Sequence, residues 1–176
     1  MNPNILVYRN GGGREYASDE IFSTTIHELA HTTHWRVMNL GPVQFFQVSA
    51  NIRESWAVGV EWRITSLEYR SRGIANYGTE NYEISASYPL DRAYQYWTRN
   101  LNATYTPLFI DLLDNFNQSS GDSSLPNDPI TGYTLLGIES TFLKHTYGLS
   151  SLSNNLKAHK PAGITDAQID LFISNY

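Results

Sequence analysis

The chain contains no cysteine among its 176 residues. A disulfide framework, a cysteine-ligated zinc finger, an iron–sulfur cluster and a thiol nucleophile are therefore excluded. Positive charge is also scarce, because 12 Lys and Arg stand against 17 Asp and Glu, and the basic residues form no run. A net charge of −5 without a basic patch argues against a nucleic-acid partner. No apolar run approaches the roughly 18 residues of a membrane-spanning helix, so no transmembrane segment is predicted.

The remaining composition is that of a folded domain, since 41% of the residues are hydrophobic and only 16% are charged. With no internal repeat and no long linker, residues 1–176 are predicted to form a single domain. The first ten residues lack a charged stretch followed by an apolar one, so no signal peptide is predicted. The absence of Cys, together with few Lys and many Asn and Tyr, favours a secreted, periplasmic or cell-surface location. The sequence leaves the oligomeric state open.

The hydrophobic pattern predicts a mostly helical chain with few and short strands. Two long helices are predicted over residues 20–38 and 52–72, the second ended by Gly73. A short strand is predicted over residues 5–9, and it either pairs with a later segment or belongs to the downstream part of a longer chain. Residues 43–48 are either a strand or the lead-in to the second long helix. Four shorter helices are predicted downstream, over residues 107–117, 131–145, 152–159 and 166–175.

The first long helix carries the motif His27-Glu28-Leu29-Ala30-His31. Residues four apart on a helix share a face and lie about 6 Å apart along the axis, so the two imidazoles can converge on one metal ion. Glu28 lies about 100° around the axis from His27, beside such a metal rather than on it. There it can hold a water molecule and take its proton. The motif therefore predicts a zinc centre with His27 and His31 as ligands and Glu28 as general base.

A catalytic zinc takes a third protein ligand, which must be His, Asp or Glu in a chain without cysteine. His34 is a poor candidate because it lies about 10 Å further along the helix than His27. It is expected to line the cleft or to pack against Trp35. The second long helix offers acids spaced by seven residues on one face, and one of them can meet the first helix. These acids are Glu54, Glu61 and Glu68.

The motif HELAH at 27–31, followed by ESWAVGVE at 54–61, resembles the gluzincin-type zinc metallopeptidases, and in these two helices the aminopeptidase branch. The resemblance covers about residues 20–65. It implies that Glu54 is the third zinc ligand, with Glu61 as the alternative. It also implies a zincin-like α+β fold that is mostly helical, with two packed metal-binding helices and a small sheet.

The chain departs from the gluzincin pattern in two places. Thermolysin-type members carry an Asp four residues after the ligand Glu, which orients a ligand His, whereas Val58 stands here. The side chain that orients a ligand His must therefore come from elsewhere. The Gly-x-Met-x-Asn signature of the aminopeptidases is also missing, which leaves the choice between exo- and endopeptidase open.

The resemblance further implies a downstream Tyr or His that stabilises the oxyanion of the reaction. Tyr133 is preferred, because it follows Gly132 at the start of a predicted helix, where a hydroxyl could project into a cleft. The other candidates are Tyr88, Tyr94, Tyr96, Tyr105, His145 and Tyr147.

These features predict zinc-dependent hydrolysis of a peptide or protein substrate, with Zn²⁺ as the cofactor. The alternatives are a catalytically silent zinc-stabilised binding or scaffold module and, third, hydrolysis of a non-peptide amide. The intact Glu28 favours an enzyme, because a structural zinc needs no base and closes its fourth position with protein. Asp111 and Asp114 are predicted to be structural, since no further acid stands at metal-binding spacing from them.

Overall fold

Two long helices pack along each other and form the frame of the structure. The computed structural model describes residues 10–11, 14–15, 18–74, 102–120 and 123–176. Its first long helix, α1, is Ser18–Met38, and its second, α3, is Ala50–Ser71. The short helix α2, Pro42–Phe45, connects them and begins with a proline, whose fixed φ suits the first helical position. Both long helices lie within about two residues of the ranges predicted from the sequence.

Four shorter helices follow α3, and the first of them packs directly on it. They are α4 (Leu108–Leu113), α5 (Leu135–Thr141), α6 (Leu149–Ala158) and α7 (Asp166–Ser174). Single 3₁₀ turns lie at Gln118–Ser120 and Leu143–His145. Helix α4 packs on α3, the Leu143–His145 turn packs on α1, and α6 packs on α7. None of the helices in these described ranges is both long and apolar enough to cross a membrane.

The prediction of a mostly helical chain agrees with the described residues, but the predicted α+β class with a small sheet is wrong for them, because apart from one short hairpin their regular secondary structure is helical. In that hairpin β1 (Asn10–Gly11) pairs antiparallel with β2 (Arg14–Glu15). The apolar run at 43–48 is taken up by α2 and the turn after it, and it buries Phe45 and Val48 without any strand pairing. The predicted strand at 5–9 lies outside the described residues.

Two of the later helices are clearly shorter than predicted, whereas the helix predicted over 152–159 is longer and begins at Leu149. The helix predicted over 107–117 ends at Leu113, and the one predicted over 131–145 begins only at Leu135. Thr165 caps α7 as predicted: its side chain accepts the backbone N–H of Gln168, whose side-chain oxygen accepts the N–H of Thr165. Gly73, just beyond α3, has a positive φ of 95°, as expected of a glycine that ends a helix.

Helix α4 docks on α3 at a glycine. A Cβ atom at Gly59 would lie only 2.7 Å from the Cβ of Phe109, so a side chain there would push the two helices apart. One turn earlier on α3, Trp56 meets the Phe109 ring edge-to-face at 5.4 Å. These contacts fix α4 against the first half of α3, the half that carries the candidate metal ligand Glu54.

Candidate metal centre

The three predicted zinc ligands lie together between α1 and α3. The Nε2 atom of His31 is 3.0 Å from Oε2 of Glu54, and the Nε2 atom of His27 is 3.5 Å from the same oxygen. The two imidazole rings are 4.8 Å apart and almost perpendicular, at 83°. All three side chains are half-buried. The pairing of α1 with α3 thus brings one carboxylate oxygen to two imidazole nitrogens.

The chemistry and spacing of these three atoms fit zinc. Zinc binds imidazole nitrogen and carboxylate oxygen at about 2.0–2.2 Å in tetrahedral geometry, so neighbouring ligand atoms stand about 3.3 Å apart. The observed 3.0 and 3.5 Å lie on either side of that value. Among the described residues the group has three protein donors, which is the number that a catalytic zinc takes.

Glu61 lies behind the cluster and contacts the other side of His27. Its Oε2 atom is 3.0 Å from Nδ1 of His27. When Nδ1 carries the proton and donates it to Glu61, the lone pair of Nε2 is directed at the centre of the cluster. The structure therefore groups Glu54 with the two histidines as a possible metal donor, and it sets Glu61 against the far side of His27. Glu61 thus offers the carboxylate next to a candidate ligand His that thermolysin-type members supply from the position where Val58 stands here.

Glu68, the third acid of the series on α3, is two further turns along the helix from Glu61. It pairs with Arg72 on the surface, where its Oε1 accepts a hydrogen bond from Nε of Arg72 at 2.7 Å. It is not part of the metal group.

The cluster is built to hold positive charge. Burial lowers the pKa of His27, but hydrogen bonds and charges from Glu54 and Glu61 outweigh it and raise the pKa to about 9. Burial raises the pKa of Glu54, but hydrogen bonds to His27 and His31 outweigh it and hold the pKa well below its usual range. Glu54 and Glu61 both contact His27, and Glu54 also contacts His31, so a cation bound among these residues would lie beside carboxylate oxygen.

Glu28, the predicted general base, is exposed to solvent, and it is not one of the candidate metal donors. Its charge reaches Tyr105, whose pKa is raised by burial first, then by Glu54 and to a smaller extent by Glu28. Tyr105 therefore lies within electrostatic range of both Glu54 and Glu28.

The structure brings Tyr105 to the cluster. From the sequence, Tyr105 is only one of several candidates for the residue that stabilises the oxyanion. Its ring stacks on the ring of His27, with centroids 6.0 Å apart and planes at 26°. The next residue ties this segment to α3, because Oγ1 of Thr106 lies 2.7 Å from Oγ of Ser55. The backbone N–H of Thr106 also donates to that oxygen, at 3.2 Å. Since Ser55 follows Glu54, these bonds hold Tyr105 next to the metal ligands.

Tyr133, the preferred oxyanion donor, is not placed at the cluster. Its side chain is buried, and its hydroxyl donates to the carbonyl of Leu156 at 3.0 Å. Its ring meets Phe142 edge-to-face, and burial raises its pKa to about 12. Gly132 has a positive φ of 93° and belongs to a turn that returns the chain to α4, not to the edge of a cleft. Tyr133 is a residue of the hydrophobic core.

None of the other described candidates for the oxyanion donor lies among the candidate metal donors. Tyr88, Tyr94 and Tyr96 lie outside the described residues. His145 and Tyr147 are exposed side chains in and just after the 3₁₀ turn Leu143–His145, and neither is among the described metal donors.

His34 neither lines a cleft nor acts as a ligand, because it is fully buried in the core. Its ring meets Phe45 at 5.2 Å and Trp56 at 6.3 Å, both edge-to-face. Neither ring nitrogen makes a hydrogen bond anywhere in the described part of the chain. Burial, helped by the positive charges of His31 and Arg53, lowers the pKa of His34 to about 3, so the ring is neutral.

Comparison with protein-family models, with curated proteins and with solved structures yields no match to this chain. The function of the chain is therefore inferred from the chemistry of the cluster. The cluster consists of His27, His31 and Glu54, with Glu61 behind it and Glu28 and Tyr105 nearby.

Proposed function

We propose that this protein is a zinc-dependent peptidase of the gluzincin type, in which His27, His31 and Glu54 hold Zn²⁺. The observation that carries the proposal is the convergence of two Nε2 atoms on one Glu54 oxygen at 3.0 and 3.5 Å. It is strengthened by Glu61, whose carboxylate holds Nδ1 of His27 as carboxylates commonly do behind zinc-bound histidines.

When bound, Zn²⁺ would polarise the scissile carbonyl and lower the pKa of a water molecule. The residues of the chain perform the remaining steps. Glu28 accepts a proton from the attacking water and returns it to the leaving amine. Tyr105, whose ring rests on His27, donates its hydroxyl hydrogen to the carbonyl oxygen as negative charge develops there. Glu61 keeps the proton on Nδ1 of His27 throughout.

The geometry favours an enzyme over a silent zinc module. A structural zinc is closed by four protein ligands, whereas the described residues supply three. Glu28 is exposed beside these ligands, which suits a group that must reach a water molecule and a substrate. The substrate class, a peptide or protein, follows from the resemblance of the two motifs and is the part that most needs a test.

The test compares the parent with Glu28→Gln and with the matched control Glu68→Gln, which removes one charge from an exposed helix position. Metal analysis should find about one zinc per chain in all three proteins, because neither residue is a ligand. Cleavage of a peptide library should fall about 10²–10⁴-fold in Glu28→Gln, since the amide cannot accept a proton, and should be unchanged in Glu68→Gln.

Two results would contradict the proposal. A parent protein that holds zinc but cleaves nothing in a broad library would be a zinc-stabilised binding module. Equal cleavage by the parent and by Glu28→Gln would mean that the hydrolysis arises at another site. Loss of zinc in His27→Ala is the check that the metal lies where the proposal puts it.

A further inference from the structure

A second cluster of possible metal donors lies away from the zinc ligands, at the end of α4. One carboxylate oxygen from each of Asp111, Asp114 and Asp128 lies within 4.8 Å of the other two. Asp111 is in α4, Asp114 follows its last residue, and Asp128 comes from the loop before α5. Asp111 and Asp128 are almost fully buried, with 1% and 5% of their surface exposed. Buried carboxylates this close together repel one another unless something positive lies between them.

Asp128 provides a second, independent indication that this cluster binds a cation. Both of its carboxylate oxygens are buried, and neither makes a hydrogen bond with any described residue. The backbone N–H groups of Gln118 and of Asp128 itself lower its pKa in part, but neither completes a hydrogen bond to the carboxylate. The N–H of Asp128 donates instead to Oδ1 of Asn117, at 3.4 Å. An unpartnered buried carboxylate is strongly unfavourable in a folded protein, so Asp128 points to a positively charged partner.

Asp111, in contrast, is already oriented by two donors. The hydroxyl of Tyr176 donates to Oδ2, and Nε2 of Gln118 donates to Oδ1 at 3.1 Å. Each carboxylate oxygen has two lone pairs, so both donors leave Asp111 able to bind a cation as well. The arrangement is that of a ligand fixed by its outer hydrogen bonds.

The charges of the cluster are unfavourable to one another. Burial and the charge of Asp114 raise the pKa of Asp128 to about 7. Burial and the charge of Asp128 raise the pKa of Asp111 well above its usual range. A bound cation would offset this repulsion and the cost of burying the carboxylates.

We propose that Asp111, Asp114 and Asp128 form a calcium site. Every donor is a carboxylate oxygen, which excludes a preference for the softer metals that need nitrogen or sulfur. Calcium takes oxygen ligands at 2.3–2.6 Å, so two ligands of one ion can lie up to about 5 Å apart, as these do. Magnesium usually keeps several waters and takes one or two carboxylates, which fits three largely buried ones less well.

Calcium here would act on the fold and not on the reaction, so the inference is independent of the proposed function. The ion would join the end of α4 to the loop that carries Asp128. Through the bond from Tyr176 to Asp111 it would also hold the residue that follows α7. Since α4 packs on α3, the site would brace the helix that carries Glu54 from a distance.

The test is thermal unfolding and calorimetric titration with calcium chloride, on the protein as purified without chelator and then dialysed into buffer freed of calcium and magnesium, at about pH 8. The parent should bind one calcium ion, and its Tm should rise by about 5–10 °C when calcium is 100 times its Kd. Magnesium at the same concentration should raise the Tm less. Asp128→Asn should bind calcium on the order of 10-fold or more weakly, because charge count sets affinity at such sites.

Asp128→Asn keeps the shape of the side chain and removes repulsion, so its Tm in calcium-free buffer should equal or exceed that of the parent. The matched control is Asp170→Asn, an exposed acid of α7 that pairs with Lys157, and it should bind calcium like the parent. His27→Ala should also bind calcium normally, which separates this site from the zinc centre. A parent Tm that does not respond to calcium, or equal calcium affinity in the parent and in Asp128→Asn, would overturn the proposal.

Discussion

The neutral, buried state of His34 predicts a measurable loss of stability in acid. In the unfolded chain this histidine takes a proton as the pH falls through about 6.5. In the folded chain burial keeps the pKa of His34 at about 3, so the ring stays neutral. Between these two values the unfolded state binds more protons, and the free energy of unfolding must fall as the pH falls. His34→Leu removes the titrating ring from a site lined by Phe45 and Trp56.

The size of the effect follows from the two pKa values. With 6.5 for the unfolded chain and about 3 for the folded one, His34 contributes almost nothing at pH 7. At pH 5 it destabilises the fold by about 2 kcal/mol, at 1.36 kcal/mol for each pKa unit. The parent should therefore lose about 2 kcal/mol more than His34→Leu between pH 7 and pH 5.

Urea unfolding of both proteins at several pH values, after removal of metal by a chelator, measures this difference. All other titrating groups are shared, so their effects cancel when the two proteins are compared. His145→Leu, which changes an exposed histidine, is the matched control and should follow the parent. If the parent and His34→Leu lost the same stability between pH 7 and pH 5, His34 would not be held neutral in the core as the structure has it.

Two further predictions concern the zinc centre. Glu61→Ala should weaken zinc binding by about 10–100-fold and Glu54→Ala by more, since Glu61 only orients His27 at 3.0 Å. Competition with a chelator measures both, Glu68→Ala is the control, and the reverse order would make Glu61 the ligand. Tyr105→Phe should lower kcat by about 10²–10³-fold with little change in KM or zinc content, as loss of one oxyanion donor does. A change in KM alone would assign Tyr105 to substrate binding.

The sequence predicted best what depends on local spacing. His27 and His31 face the same way because they are four residues apart on one helix, and this needs no knowledge of the rest of the fold. Local spacing does not identify Glu54 as the third ligand, because Glu61 lies on the same face of α3 and is an equally possible ligand. The register between α1 and α3 decides between them, and packing of the two helices sets that register.

The errors about single residues of the site involve contacts that are distant in the sequence. Tyr105 is held at the cluster by the bond between Ser55 and Thr106, 51 residues apart, and no spacing rule predicts it. Tyr133 looked accessible because it follows a glycine, yet its hydroxyl donates to Leu156, 23 residues away. Gly59 in the middle of α3 is a sequence signal for a close packing contact, but it does not identify Phe109 as the partner.

The sheet was expected only because the resemblance, which covers two helices, was extended to the whole fold of the gluzincins. The motifs at 27–31 and 54–61 fix how two helices present metal donors, and they say nothing about what covers those helices. In the described residues α4 and the helices after it do this, with Phe109 against Gly59 and Trp56. Function at a metal site depends on the donors and on the groups that orient them, so the same chemistry can be held by different surrounding folds.

The carboxylate cluster is a second site that spacing along the sequence could not predict. Asp111 and Asp114 are three residues apart, and the sequence offers no third acid at a helical spacing, so they were expected to be structural. Their partner, Asp128, comes from a loop 14 residues beyond Asp114, where only the fold can bring it back. The two clusters differ in chemistry as well as in place. The imidazole nitrogens of the first favour zinc as its ligand, whereas the oxygen donors of the second favour calcium.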